Sequence, residues 1–352
     1  MDIGVYPLIG LKDARAECEK RRAQLFQGND PRVQKKMELH NQASAATNEE
    51  VIRDWYEKYC SIRKKDHKGI LRSFEIHVFP KLGDIPVDQA NTHMWLSILE
   101  PLADTKPSIA DRILGNTKQA HKWAYRRQMI ENQPLALLNS GSDLNITKRT
   151  GGRALNDHEI NIAWKALDRT RMAQKAKLHV KLCLCYGCRP IELREAYIDE
   201  FDFDVGIWTI PPHRHKTGAK TGRPLKRPII PAFEEMVREC IYLSMSDTLL
   251  FTNDTNDKVM NDRATLSYCE SIIKVAQRRL GIALNHFSLY DLRKTARTHW
   301  ATLTEPHIAE IMLGHKLPGE WQTYDHHYYI EEQKEAYEKW WARIQEILAM
   351  PL

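Results

Sequence analysis

Four short segments in the C-terminal half of this 352-residue chain hold residue types that handle anions. In the first, Cys188-Arg189-Pro190-Ile191-Glu192-Leu193 follows an apolar helical run, Leu178 to Tyr186, broken at Gly187. An arginine just past such a break sits near the next helix N-terminus, where anions bind readily. Glu192 shares its face if Pro190 opens that helix, and alone the two read as a structural Arg–Glu pair. In the second, Pro212-His213-Arg214-His215-Lys216-Thr217-Gly218-Ala219-Lys220 forms a basic loop between strand-like pieces. Such a tip can enter a groove, present one lysine to a reacting atom, or simply be a solvated turn. In the third, Ser288 caps a helix carrying Tyr290 and Arg293 one turn apart, near an N-terminus that favours phosphate. In the fourth, Leu313-Gly314-His315-Lys316 is followed nine residues past His315 by Tyr324, within an aromatic run of Trp321, His326, His327, Tyr328 and Tyr329. Aromatics there are by default core or interface residues.

The elements that must position these segments are mostly helical. Leu11 to Gln27 reads as a basic helix stopped by Gly28 and Pro31, with nowhere of its own to bury an apolar stripe. Thr47 with Glu50 is a capping-box pattern opening a helix with Val51, Ile52, Trp55, Tyr56 and Tyr59 at three- and four-residue steps. Helical pattern recurs over Ile70–Val78, Thr92–Leu102 and Ile109–Met129, so 47–138 reads as a small all-helical domain. Its last helix carries Lys118, His121, Lys122, Arg126 and Arg127, a stripe able to follow a phosphate backbone or to serve as a solvated face. The polar, glycine-rich stretch 139–152 reads as a linker. From 153 to the end the pattern is helical, apart from strand-like pieces at Gly206–Ile210 and Pro228–Pro231. The fold class is therefore mainly α, with a small antiparallel β-sheet in the C-terminal domain.

Lys+Arg exceed Asp+Glu by 52 to 46, a net +6 that suits a polyanion-binding protein without establishing one. No apolar run reaches the ~18 residues of a membrane helix, and the start lacks a secretory signal. Seven cysteines, three of them at 183, 185 and 188, make a poor disulfide framework and point to a reducing cytoplasm. Spacings of two and five along a helix do not converge on one ion, so no metal site is assigned. Phosphate-cradling glycine loops, HExxH, Gly-x-Ser-x-Gly and paired CxxC motifs are missing as well.

Taken as an ordered set, Arg189, Lys216, Tyr290, Arg293, His315 and Tyr324 resemble the active site of the tyrosine site-specific recombinases, closest to phage and genomic-island integrases of satellite-phage type. The carrying motifs are Arg189-Pro-x-Glu192-Leu, Asp-Leu-Arg293-x-Thr and Leu-Gly-His315 with Tyr324 nine residues on. The tail from Tyr324 to Trp341 adds to the likeness. The resemblance implies a helical core-binding domain at 47–138 and a catalytic tyrosine-recombinase domain at 153–352. It also implies a remnant of the N-terminal arm-type DNA-binding domain at 1–40, most of which is expected to be absent.

The implied activity is integration or excision of a phage or genomic island through a 3′-phosphotyrosyl intermediate, with no metal, ATP or other cofactor. Tyr324 would be the nucleophile, Arg189 and Arg293 the phosphate clamp, Lys216 the general acid, and His315 and Tyr290 phosphate contacts. Lys118, Lys122, Arg126, Arg127 and Arg214 would touch DNA. Tyr290 stands where the family usually has histidine. A phenol donates to phosphate but accepts protons poorly, so slower chemistry is expected. The implied partners are double-stranded DNA attachment sites, a homotetramer on that DNA, and a DNA-bending host factor or excisionase. The setting would be the bacterial cytoplasm, at the nucleoid. Glu331–Leu348, with Tyr337, Trp340, Trp341, Ile344 and Leu348 at helical spacing, would dock on a neighbouring protomer or pack within its own chain. Two other readings are a DNA-binding relic that no longer exchanges strands and a type IB topoisomerase.

Overall fold

The computed structural model describes residues 7–28, 30, 32–33, 45–147, 152–253, 256–317, 325 and 327–352. The chain divides into two compact units, Met1–Arg149 and Thr150–Leu352.

The first unit contains α1 (Leu11–Phe26), α2 (Asn48–Trp55), α3 (His67–His77), α4 (Thr92–Thr105) and α5 (Pro107–Tyr125). No residue of α1 is buried. At the start of α2 the expected capping box forms: Glu50 N donates to Thr47 Oγ1 at 3.2 Å and Thr47 N to Glu50 Oε2 at 2.9 Å. Val51, Ile52 and Trp55 then enter a core with Phe74, Trp95, Leu99 and Ile113. The stretch read as a linker begins later than expected. Leu144 and Ile146 join this core, and Ile146 N donates to Ser140 O at 2.9 Å. Two apolar side chains with a core to enter keep residues through 147 on the helical unit.

The second unit contains α6 (Asp157–Asp168), α7 (Gln174–Tyr186), α8 (Pro190–Arg194), α9 (Pro231–Tyr242), α10 (Asp262–Val275), α11 (Leu289–Trp300), α12 (Pro306–Leu313) and α13 (Ile330–Ala349). Strands β1 (Phe201–Asp202), β2 (Ile207–Ile210) and β3 (Leu225–Pro228) form one antiparallel sheet in that order, pairing Phe201 with Trp208 and Trp208 with Arg227. The third strand thus lies three residues earlier than the sequence suggests. Pro228 has no N–H to continue the ladder, and Pro231 opens α9. A further hairpin, β4 (Thr252–Asn253) with β5 (Asn256–Val259), carried no expectation. The core packs Leu182, Tyr186, Trp208, Phe233, Leu292 and Trp300 around α13, which inserts Tyr337, Trp340 and Ile344. Trp340 Nε1 donates to Leu184 O at 3.2 Å and Tyr337 Oη to Tyr186 O at 3.3 Å. The apolar face of the C-terminal helix is therefore buried in its own unit. Cys183, Cys185 and Cys188 are buried free thiols of the same core.

His121 in the first unit and His179 in the second are each at most 1% exposed. His121, against the edge of Trp95, and His179, whose Nε2 lies 3.3 Å from Pro190 O, are both pushed down to about 4 by burial. The unfolded chain binds protons at the ordinary imidazole value near 6.5 and the folded chain does not. Stability is therefore fully present above that value and is lost as pH falls from about 6.5 toward 4, by roughly 3 kcal/mol per site. Thermal melts at pH 7.5 and pH 5 should show both units unfolding at lower temperature in acid. Unchanged melting at pH 5 would refute the neutral, buried state of these rings.

Candidate active site

The Gly187 turn starts the site. Its φ of +55° suits glycine, and a Cβ there would lie 2.5 Å from the Trp300 ring. The tight turn lets α11 close on the end of α7 and points the Gly187 carbonyl at Arg293, which donates from Nη1 at 3.1 Å. Arg189 follows immediately and precedes α8.

Glu192, wholly buried, binds two arginines at once. Its Oε1 takes Arg189 Nη1 at 2.7 Å, and its Oε2 takes Arg227 Nη2 at 2.9 Å. Burial pushes its carboxyl up, but Arg227, Arg189 and Arg293 outweigh burial and hold it at about 2. Arg227, equally buried in β3, also donates from Nε to Met312 O at 3.1 Å and stacks on Trp208. Arg293 is pulled down to about 10, by burial first and then by the like charge of Arg189. Three guanidinium groups face one carboxylate, so two positive charges stand uncompensated. That cluster is an anion site in the electrostatic sense.

Arg293 Nη2 also donates to Leu313 O at 2.9 Å and lies 2.9 Å from His315 Nε2. His315 is placed by Gly314, at φ +68°, where a Cβ would lie 2.6 Å from Leu225. On the other side of the ring, Nδ1 is 2.6 Å from Glu310 Oε2, and Glu310 Oε1 takes Arg297 Nε at 2.8 Å. The basic loop is tied to this turn through Thr217 Oγ1, which donates to Gly314 O at 2.7 Å. Within the loop, buried His215 accepts from Gly218 N at Nδ1 and donates to Arg223 O at Nε2. Lys216 is exposed beside it. A cleft of about 430 Å³ opens next to His315, lined by Thr217, Arg223, Lys226, Lys316 and Tyr328 among others.

The structure thus gathers Arg189, Arg293 and His315, with Lys216 on a loop anchored to the same turn. Tyr290, 61% exposed at the start of α11, makes no hydrogen bond to the cluster among the described residues. Tyr324 and His326 lie outside the described residues. Arg214 departs from its expected DNA-facing place. Its side chain is 6% exposed, paired with Glu200 and bonded to the Glu195 and Glu192 carbonyls. A buried carboxylate on the preceding turn draws the guanidinium inward, making it a brace for the hairpin. In the first unit Lys122, Arg126 and Arg127 are exposed on or just beyond α5, and Arg127 stacks on Trp123. Lys118 is half-buried, donating to Leu138 O at 2.6 Å, and His121 faces the core instead of the stripe. Sequence reasoning missed Arg227 and Glu310. Only the basic spacing of Lys226-Arg227 hinted at the first.

Residues 153–331, just over half of the chain, match the phage integrase family model. Residues 49–140 match the phage integrase central domain, and 1–38 an arm DNA-binding domain. The integrase of Enterobacteria phage P4 is 29% identical over 214 residues, covering 60% of this chain and 48% of that protein. The prophage integrase IntA of Escherichia coli K12 is 24% identical over 96% of this chain and 80% of its own length. The chain spans about half the length of the P4 integrase and of a second relative, the putative protein IntB of Escherichia coli K12. Among solved structures, a lambda integrase tetramer bound to a Holliday junction has a TM-score of 0.63 at 16% identity, covering 90% of each chain. The Tn1549 transposon integrase bound to transposon right-end DNA reaches 0.65 at 14% identity, over 84% of this chain and all of that one. These likenesses give the fold, a helical unit followed by a mainly helical unit with a small antiparallel sheet, as in lambda integrase. With its sequence match, its fold and its clustered arginines and histidine in agreement, the chain belongs to the phage integrase family.

Proposed function

We propose that the protein is a site-specific DNA recombinase that cuts and rejoins duplex DNA, integrating or excising a mobile element. The observation that carries this is the buried cluster with two positive charges to spare, beside a histidine and a loop presenting a lysine. A phosphodiester supplies one negative charge, and a second develops as the nucleophile adds to phosphorus. Arg189 and Arg293 hold its non-bridging oxygens in forked contacts that strengthen as charge develops. The Tyr324 hydroxyl gives up its proton to solvent as its oxygen attacks phosphorus, the bond from phosphorus to the 5′ oxygen breaks, and Lys216 delivers a proton to that oxygen. The ester's free energy is kept in the phosphotyrosyl bond, so rejoining needs neither ATP nor metal. His315 completes the cluster from beside Arg293, and Tyr290 approaches the phosphate as DNA enters. Residues 47–138 hold the duplex through Lys122, Arg126 and Arg127, residues 1–40 contribute an arm-type DNA-binding segment, and the active form is a tetramer on two duplexes. A DNA-bending host factor or an excisionase would assist.

The test is a nicked suicide duplex taken from the DNA adjoining the protein's own gene. Wild type should form a covalent adduct without added metal or nucleotide. Tyr324→Phe should form none while still shifting the duplex in a gel. An adduct that survives this substitution moves the nucleophile to Tyr328 or Tyr329. A wild-type chain that shifts the duplex and never forms an adduct is a DNA-binding relic.

A further inference from the structure

We infer that Glu310 is a positioning residue for the reaction proposed above: it fixes the proton of His315 on Nδ1, so that Nε2 faces Arg293 and the phosphate site. The assignment follows from what the partners can do. Arginine has donors only, so the 2.9 Å contact from Arg293 Nη2 requires a lone pair on Nε2. A carboxylate only accepts, so the 2.6 Å contact at Glu310 Oε2 requires the proton on Nδ1. The Glu310 carboxyl is held below its ordinary range: burial opposes this, but the hydrogen bonds from Arg297 and His315 outweigh it. Arg297, from α11, fixes the other carboxylate oxygen at 2.8 Å, so the ring cannot turn without breaking a chain that runs from Arg297 through Glu310 and His315 to Arg293. The His315 backbone N–H closes on the Glu310 carbonyl at 3.0 Å, which ties the ring's own backbone to the same residue.

This arrangement does two things for the phosphate chemistry. In the neutral ring, Nε2 is an acceptor that orients the Arg293 fork. When Nε2 gains a proton it becomes a donor to a phosphate oxygen, and the new charge is matched by the carboxylate already touching Nδ1. Carboxylates behind an imidazole orient and tune it in this way at many sites, and their loss commonly lowers activity about 10- to 100-fold.

The test has one arm that needs no DNA and one that does. The ¹⁵N imidazole spectrum of the full chain at alkaline pH, with the His315 signals assigned by their loss in His315→Gln, should show the proton on Nδ1. Glu310→Ala, which leaves Arg293 alone to keep the lone pair on Nε2, should let a detectable share of the rings carry the proton on Nε2. Glu310→Gln, whose amide oxygen still accepts from Nδ1, should keep it in place. On the suicide duplex, Glu310→Ala should cleave about 10- to 100-fold more slowly at unchanged DNA affinity, with Glu310→Gln recovering part of the rate. A His315 tautomer population in Glu310→Ala identical to that of wild type overturns the inference, as does a cleavage rate equal to wild type. If wild type itself forms no adduct, the recombinase reading falls, while the spectrum still decides the role of Glu310.

Discussion

Arg293→Ala is expected to slow covalent adduct formation on the suicide duplex by about a thousand-fold while leaving the protein folded. Losing one donor aimed at developing charge costs on the order of 100- to 1,000-fold. Arg293 is such a donor and also positions a second group, since its Nη2 contacts His315. The fold should tolerate the change because the arginine sits there against opposition. Burial and the like charge of Arg189 bring its affinity for a proton down to about 10. A shift of that size corresponds to something on the order of 3 kcal/mol of unfavourable environment, which the substitution relieves. The lost hydrogen bonds to Gly187 O and Leu313 O offset that relief. Single-turnover cleavage beside a thermal melt separates the two effects. A variant that cleaves within ten-fold of wild type would remove Arg293 from the phosphate clamp.

Glu192→Ala should act in the opposite sense, through the fold. It strands Arg227, which has no exposure of its own and, among the described residues, no other carboxylate within salt-bridge distance. Breaking a buried pair from one side costs about 3–5 kcal/mol, which for a unit of this size lowers the melting temperature by roughly 10 °C. Adding Arg227→Met should return much of that loss, because the stranded charge goes with it. Denaturation of the four proteins of this cycle gives the coupling energy directly. Were Glu192→Ala to lose under about 1 kcal/mol, the assignment of Glu192 as counter-charge to Arg227 would be wrong.

The two substitutions mark where sequence was sufficient and where it was not. Arg189, Glu192, Arg293 and His315 each carry a local sign: a glycine break, a proline-opened helix, a serine at a helix start, a Leu-Gly turn. Local signs survive in one dimension because they depend on residues within a turn or two. The box at Thr47 was readable for the same reason. Arg227 has no such sign. It sits in a basic strand beside Lys226, and only pairing with a carboxylate 35 positions away sends one side chain inward and leaves the other half-exposed. Glu310 looks like any polar residue of an amphipathic helix until His315 folds back on it. Arg214 and His121 misled in the opposite direction, because charge type suggested solvent and a distant partner or an apolar neighbour decided otherwise. The two-residue β4 and four-residue β5 are too short for an alternation to be seen.

Helix α13 is seated by Tyr337, Trp340 and Ile344 and begins at Ile330, immediately after Tyr329. Position 324 is five residues before Tyr329, and an extended chain covers about 3.4 Å per residue. The backbone at the position proposed as nucleophile is thus on a leash of about 17 Å from Tyr329. In the proposed reaction the scissile bond has to come within that radius extended by one tyrosine side chain, so partner choice would fall to how the DNA is brought in. Long-range travel of the tyrosine would require first prising Trp340 from its socket.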